Sequence, residues 1–220
     1  MKLDPIRGWL LDVYPSGPNE VTVWIIAESG ARVRLVDKFT HRIYVSGDLS
    51  NLKHLSEKIK DSRSVSGLRF VEKYANFMEA QKKKVLEVDI GDYHRTSFFA
   101  RKILRLGGYE RFHLYNVDVP VSQAYLYEKD VFPLAHMMVV DSGNRLSYHV
   151  VDSVEEVNYE VPSLRSVWLN VVVKKEKPPP RFTDEIDSIS LEFDGKTIVV
   201  GGENEKEKIF ELVKAIKECD

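Results

Sequence analysis

Three groups of side chains in this 220-residue chain have types and spacings that suggest chemistry. The first is aromatic. Ile43-Tyr44-Val45-Ser46-Gly47-Asp48-Leu49 has the form of a strand that offers one aromatic ring, Tyr44, to a nucleobase. The partner strand of such a platform should be basic and rich in glycine and aromatics, and the matching run, Lys83 to Ile90, carries no aromatic. Tyr44 therefore reads either as a base-stacking ring or as a ring packed in a sheet. The second group is basic. Lys82, Lys83 and Lys84 stand together, and His94, Arg95, Arg101, Lys102, Arg105 and Arg111 lie on and after a helical run. Such cations track a phosphate backbone or simply solvate a helix face. The third group is acidic: Asp184, Glu185 and Asp187. A catalytic pair of metal ions needs a second carboxylate cluster, and none accompanies these three. They read as loop acids, with no metal site and no cofactor.

Composition narrows the classes. The net charge is -2, from 32 basic and 34 acidic residues, so any nucleic-acid contact must be a local patch. One cysteine, Cys219, excludes a disulfide framework and suits a reducing, cytoplasmic setting. No apolar run approaches the ~18 residues of a spanning helix, and the first 17 residues lack a signal-like apolar core, so no membrane partner is expected. With 43% hydrophobic residues, the chain is long enough for one or two globular domains.

The elements that position these groups follow from periodicity. Strands are expected at Trp9–Tyr14, Val21–Ala27 and Ala31–Val36, with Pro15–Glu20 as a turn. Then comes an ordered run. It has a strand at Arg42–Ser46 and a helix capped by Asp48 or Ser50 with Leu52, Leu55 and Ile59 inward. Strands follow at Leu68–Lys73 and Lys84–Ile90. A second helix, capped by Asp92, should bury Phe98, Phe99, Ile103 and Leu106 and end at Gly107-Gly108. A last strand, Phe112–Val119, should end at Pro120. The order β-α-β-β-α-β is the ferredoxin-like plan, over about residues 40–119. A short helix or turn, Ser122–Asp130, leads into a second domain, 120–220. It holds strands at Ala135–Val140 and Leu146–Val151, extended by Val154–Val161. Next come the very apolar Ser166–Lys174, expected to be central, and a stiff Lys175–Arg181 loop. A hairpin, Ile186–Phe193 and Lys196–Val200, precedes a helix capped by Asn204 and Glu207. Its apolar face is Ile209, Phe210, Leu212, Val213 and Ile216. The sheet of this domain leaves an open edge, to be covered by the first domain or by a second copy.

Tyr115, Asp118-Val119-Pro120, Tyr125-Leu126 and Pro133 carry a resemblance. This strand, kink and exit resemble the end of the N-terminal domain of archaeal family B DNA polymerases. Further matching blocks run from Leu11 to the last helix. The resemblance implies an α+β fold: a β-rich N-terminal segment with a ferredoxin-like unit, domain 1–119, followed by a truncated ribonuclease H-like exonuclease-type domain, 120–220. It implies a base pocket, which captures template uracil in the family, at Tyr14, His41, Arg42, Val85, Val119, Pro120, Val121 and Ala124. The family has Pro-Tyr at His41-Arg42, an aromatic at Val121 and an arginine at Ala124. Backbone contacts to DNA fall to Arg42, Lys82, Lys83, Lys84, Arg95, Arg101 and Lys102. The family's exonuclease opens with Asp-x-Glu, where this chain has Leu169-Asn170-Val171. The implied protein is a non-catalytic relative without polymerase modules. It would bind single-stranded or uracil-containing DNA, alongside replication or repair proteins. The alternative from a different class is an interaction or scaffold module, dimeric and no longer bound to DNA.

Overall fold

The computed structural model describes residues 4–219 except 77, 144, 153–154, 156–159, 176–178 and 182. It divides into two compact units, Met1–Pro162 and Ser163–Asp220. The division falls after Pro162 and not after Val119, because the strands that follow Pro120 hydrogen-bond into the sheet that opens the chain.

That first sheet is antiparallel, in the order β3-β2-β1-β8-β9. Its strands are β1 (Ile6–Gly17), β2 (Glu20–Ala27), β3 (Arg32–Lys38), β8 (His136–Asp141) and β9 (Leu146–Val150). The β1–β2 ladder continues through Pro15 to Gly17, so the turn shrinks from the expected Pro15–Glu20 to Pro18-Asn19; Pro15 is accommodated at a register shift. Gly8 permits the close approach of β1 to β2, since a Cβ there would stand 2.1 Å from the Ile26 carbonyl oxygen. Leu10, Val13, Val21, Val23, Ile25, Met137 and Val139 face inward and pack with Tyr125 of α3 (Val121–Lys129).

The second sheet has the order β5-β6-β4-β7, with all neighbours antiparallel. Its chain order is β4 (Arg42–Ser46), α1 (Leu49–Ile59), β5 (Val65–Lys73), β6 (Lys83–Ile90), α2 (Thr96–Leu106) and β7 (His113–Tyr115). Asp48 Oδ1 caps α1, accepting from the Ser50 N–H at 2.8 Å, and Leu52, Leu55 and Ile59 are buried as their spacing requires. Ile43, Val45, Leu86 and Val88 alternate onto the face covered by α1 and α2.

Three details differ from the periodic reading. Asp92 caps a single 3-10 turn, Tyr93–Arg95, rather than α2 itself. That turn rotates the helix so that Thr96, Phe99, Ala100 and Ile103 face inward while Phe98 is 71% exposed and Leu106 only partly covered. The last strand of this sheet is three residues long, not eight, because Asn116 turns to φ 62 and leaves the ladder well before Pro120.

The unit Ser163–Asp220 is a three-stranded antiparallel sheet with one helix. The order is β10 (Trp168–Val173), β11 (Ile186–Phe193), β12 (Lys196–Val200), followed by α4 (Glu205–Glu218). The hairpin turns on Asp194-Gly195, both at positive φ. Asn204 Oδ1 accepts from the Glu207 N–H at 3.0 Å to start α4. β10 is at the edge, not the centre, and Trp168 is 77% exposed. Of the expected α4 face, Leu212 packs with Ile189, Leu191 and Val200, while Ile209, Phe210, Val213 and Ile216 stay largely exposed. The expected strand Val154–Val161 and loop Lys175–Arg181 fall partly outside the described residues. Among the described residues, no helix is long and apolar enough to cross a membrane.

One buried polar cluster fixes α3 on the first sheet. Asp37 of β3 is fully buried. It accepts from the Tyr125 hydroxyl at 2.8 Å and the Leu146 N–H at 3.1 Å, and pairs with Lys129 Nζ at 2.7 Å. Tyr148 joins at 2.6 Å from the Tyr125 oxygen. Burial raises both phenols above their ordinary value, so they remain neutral donors. Asp37→Ala should lower unfolding free energy by about 3–5 kcal/mol in urea titration, because Lys129 loses its carboxylate and the Tyr125 hydroxyl and Leu146 N–H lose a buried acceptor. Adding Lys129→Met should recover part of that loss.

Candidate functional site

The second sheet has two faces, and the alternation that buries Ile43, Val45, Leu86 and Val88 sends Arg42, Tyr44, Glu87 and Asp89 to the other. Across that face the register places Tyr115, Tyr44, Glu87 and Arg69 in one row, and Arg42 beside Asp89 in the next. α3 stands over this row from the first sheet. The two walls enclose a cleft of about 420 Å³, lined by Phe39, Arg42, Tyr44, Lys73, Glu87, Asn116, Val119, Ala124, Tyr127 and Glu128. A neighbouring hollow of about 350 Å³ shares Tyr44, Lys73 and Asn116 and adds Tyr74, Ala75, Val85 and Tyr115.

The cleft is charge-balanced rather than positive. Arg42 Nε donates to Asp89 Oδ1 at 3.0 Å, lies 3.6 Å from Glu87 Oε1, and pairs across the cleft with Glu128 of α3. Glu87, nearly fully buried, also pairs with Arg69. Lys73 Nζ sits 5.5 Å from the centre of the Tyr44 ring. Burial, and next the Glu87 carboxylate, raise the Tyr44 phenol, which keeps it a neutral hydrogen-bond donor. A phosphate placed here would meet Glu87 and Glu128. A neutral planar group would meet Phe39, Tyr44 and Tyr127, with the Asn116 amide and backbone at the rim.

Of the pocket residues expected from the sequence, Arg42, Val119 and Ala124 line the cleft and Val85 lines the adjoining hollow. Tyr14 does not; it stands on β1, where Trp24 Nε1 donates to its oxygen at 3.3 Å. Val121 packs into the first core, and Pro120 starts α3. His41 is buried behind the cleft, its Nε2 3.1 Å from the Asn116 carbonyl, and so ties β4 to the residue where β7 ends. Phe39, Lys73, Glu87, Asn116, Tyr127 and Glu128 were not anticipated as lining. Tyr127 and Glu128 follow Ala124 by three and four residues, so helical spacing from Ala124 already pointed to them.

The expected backbone contacts do not form one surface. Lys83 and Ile90 begin and end β6, about 23 Å apart, so Lys82–Lys84 and Arg95 flank opposite ends of the sheet. Lys83 pairs with Glu79 at 2.6 Å, while Lys82 and Lys84 lie over the rings of Tyr74 and Phe70. Arg95 lies 3.8 Å from Asp92. Arg42, committed to three carboxylates, is not a free phosphate contact. Arg101 and Lys102 are exposed on α2. In the other unit, Asp184 accepts from the Arg181 N–H at 2.8 Å and Glu185 pairs with Lys174 at 3.2 Å. Among the described residues, no cluster of three or more His, Cys, Asp or Glu side chains could hold a metal ion.

His41 gives the region a pH dependence. Burial lowers its pKa from 6.5, against a smaller opposing effect of the Asn116 carbonyl. Below about pH 6.5 the unfolded chain takes up a proton that the folded chain resists, so stability falls as pH drops toward the folded value. Denaturant midpoints measured from pH 7.5 downward should decline for the native sequence, and less steeply for His41→Gln.

No family model matches this chain, and no curated protein matches it. Among solved structures, the chain is similar to the family B DNA polymerase from the hyperthermophilic archaeon Pyrobaculum calidifontis. The TM-score is 0.68 at 21% sequence identity, over 98% of this chain and 29% of that one. The fold is thus that of a portion of a family B DNA polymerase, and the chain spans 29% of that polymerase's length.

Proposed function

We propose that this protein is a non-catalytic, intracellular DNA-binding module related to the N-terminal region of family B DNA polymerases, and that it takes an unpaired base, uracil included, into the cleft between the second sheet and α3. The observation that carries this reading is the cleft itself: about 420 Å³, walled by Phe39, Tyr44 and Tyr127 and balanced in charge. Its size falls in the range of small-molecule sites, and its lining suits a flat neutral ring better than an anion. The strand order β5-β6-β4-β7 with both helices on one face supports a ferredoxin-like reading of residues 40–119. β10 supports the non-catalytic reading, since Leu169, Asn170 and Val171 offer no carboxylate where a ribonuclease H-like exonuclease would present its first pair. Replication or repair proteins would be the working partners of such a module.

Single-stranded oligonucleotides with and without one uracil test this reading. The uracil strand should bind several-fold more tightly by fluorescence anisotropy at low salt, and Val119→Glu, which fills the cleft with a charge, should erase the difference. Equal affinities for both strands, unchanged by Val119→Glu, would remove the cleft from the account.

The second reading, an interaction module, is favoured by the exposed Trp168, Leu169, Val171, Val172, Val199 and Phe210 in the Ser163–Asp220 unit. If a second copy covers them, light scattering should report a dimer for the native chain and a monomer for Val171→Lys; a native monomer at all concentrations would count against it.

A further inference from the structure

α2 carries an aromatic ring on the wrong side for packing. Its inward side is Thr96, Phe99, Ala100 and Ile103. Phe98 points to solvent, 71% exposed. Arg101, Lys102 and Arg105 follow it by three, four and seven residues, so all three cations share the outer side of the helix with the ring, Arg101 and Lys102 one turn beyond it and Arg105 two turns beyond it. The helix contains no acidic residue. Among the described residues none of these three cations forms an ion pair; the bond drawn by Arg101 is from Nε to its own helix, to the Ser97 carbonyl at 3.3 Å. An exposed phenylalanine costs solubility, and three unpaired like charges repel one another; together they gain if a polyanion with flat faces lies across them.

We infer that the outer face of α2 is a second contact for single-stranded nucleic acid, separate from the cleft, in which a base stacks on Phe98 while Arg101, Lys102 and Arg105 hold the flanking phosphates. The cleft lies on the opposite side of the same sheet. One strand placing a base in the cleft must therefore pass around the sheet edge to reach α2, or two strands are held. A membrane surface fits poorly. An interfacial helix inserts its apolar side, and that side of α2 is buried against β4 and β6. An acidic peptide would satisfy the charges but leave the ring without a flat partner. The inference rests on the DNA-binding reading for the class of ligand, not on the cleft.

The test uses the full chain and a 20-nucleotide oligothymidine. Phe98→Ala should weaken binding about five- to tenfold or more. The triple variant Arg101→Gln/Lys102→Gln/Arg105→Gln should reduce the slope of log affinity against log salt by about two. Phe98→Trp, conservative at an exposed position, supplies a local readout once the emission of the native chain, from Trp9, Trp24 and Trp168, is subtracted: the added emission should be quenched at saturation. Unquenched emission together with native affinity in the triple variant overturns the inference. So does displacement of the oligonucleotide by polyglutamate at equal charge concentration. Val119→Glu separates the two sites: loss of uracil preference with α2 variants unaffected sinks this inference and leaves the cleft, whereas sensitivity of the α2 variants alone supports it at the cleft's expense. No binding at low salt ends both.

Discussion

Asp37 is an acid where none should be comfortable. It lies on β3, one edge of the five-stranded sheet, yet its carboxylate accepts the N–H of Leu146 on β9, the other edge, at 3.1 Å. Laid flat, five strands would separate those edges by about 19 Å. The sheet must therefore curl until its margins meet, and Asp37 closes the seam that backbone pairing leaves open. Lys129 completes the closure by donating to the Leu146 carbonyl at 2.7 Å while it neutralises Asp37. Because Lys129 and Tyr125 both belong to α3, the same cluster fixes that helix in position and in rotation.

The rotation matters beyond the core. With Tyr125 and Lys129 turned inward, Ala124, Tyr127 and Glu128 are left to face the second sheet, and these form one wall of the cleft. The opposite wall is set by the two-residue period of β4 and β6. Glu128 and Arg42 then meet across the gap, so the walls are held by opposite charges as well as by the chain that joins them. The result is a site that is polar in outline and neutral in sum. Its ligand class follows from that balance more than from its volume.

The second sheet thus separates two kinds of surface. One face looks into the cleft, where Arg42 is paired with carboxylates and Lys73 lies over the Tyr44 ring. The other is roofed by α1 and α2, and the outer side of α2 presents cations without such partners. In the Ser163–Asp220 unit the balance differs again. Three strands and one helix bury only a small core around Ile189, Leu191 and Val200, and much apolar surface of β10 and α4 remains in solvent.

Local pattern carried much of this fold. The alternation of Ile43, Val45, Leu86 and Val88, the spacing of Leu52, Leu55 and Ile59, and the Asp48 and Asn204 caps each fix their element within a few residues, because period and capping are properties of short segments. Part of the cleft, Arg42, Val119 and Ala124, was expected only through the resemblance to a polymerase segment. What the chain could not announce depends on distant partners. A 3-10 turn after Asp92 decided that Phe98 would face water. Asn116 at positive φ decided where β7 stops. The curl that brings Leu146 to Asp37 decided that residues after Pro120 belong with the first sheet. β10, apolar enough for a sheet centre, became an edge because strand order is set by which neighbours are present, not by the strand's own hydrophobicity. Short-range pattern placed most elements and several of their buried faces; which faces meet, and therefore where a ligand is able to sit, followed from contacts between segments far apart in the chain, which no short window contains.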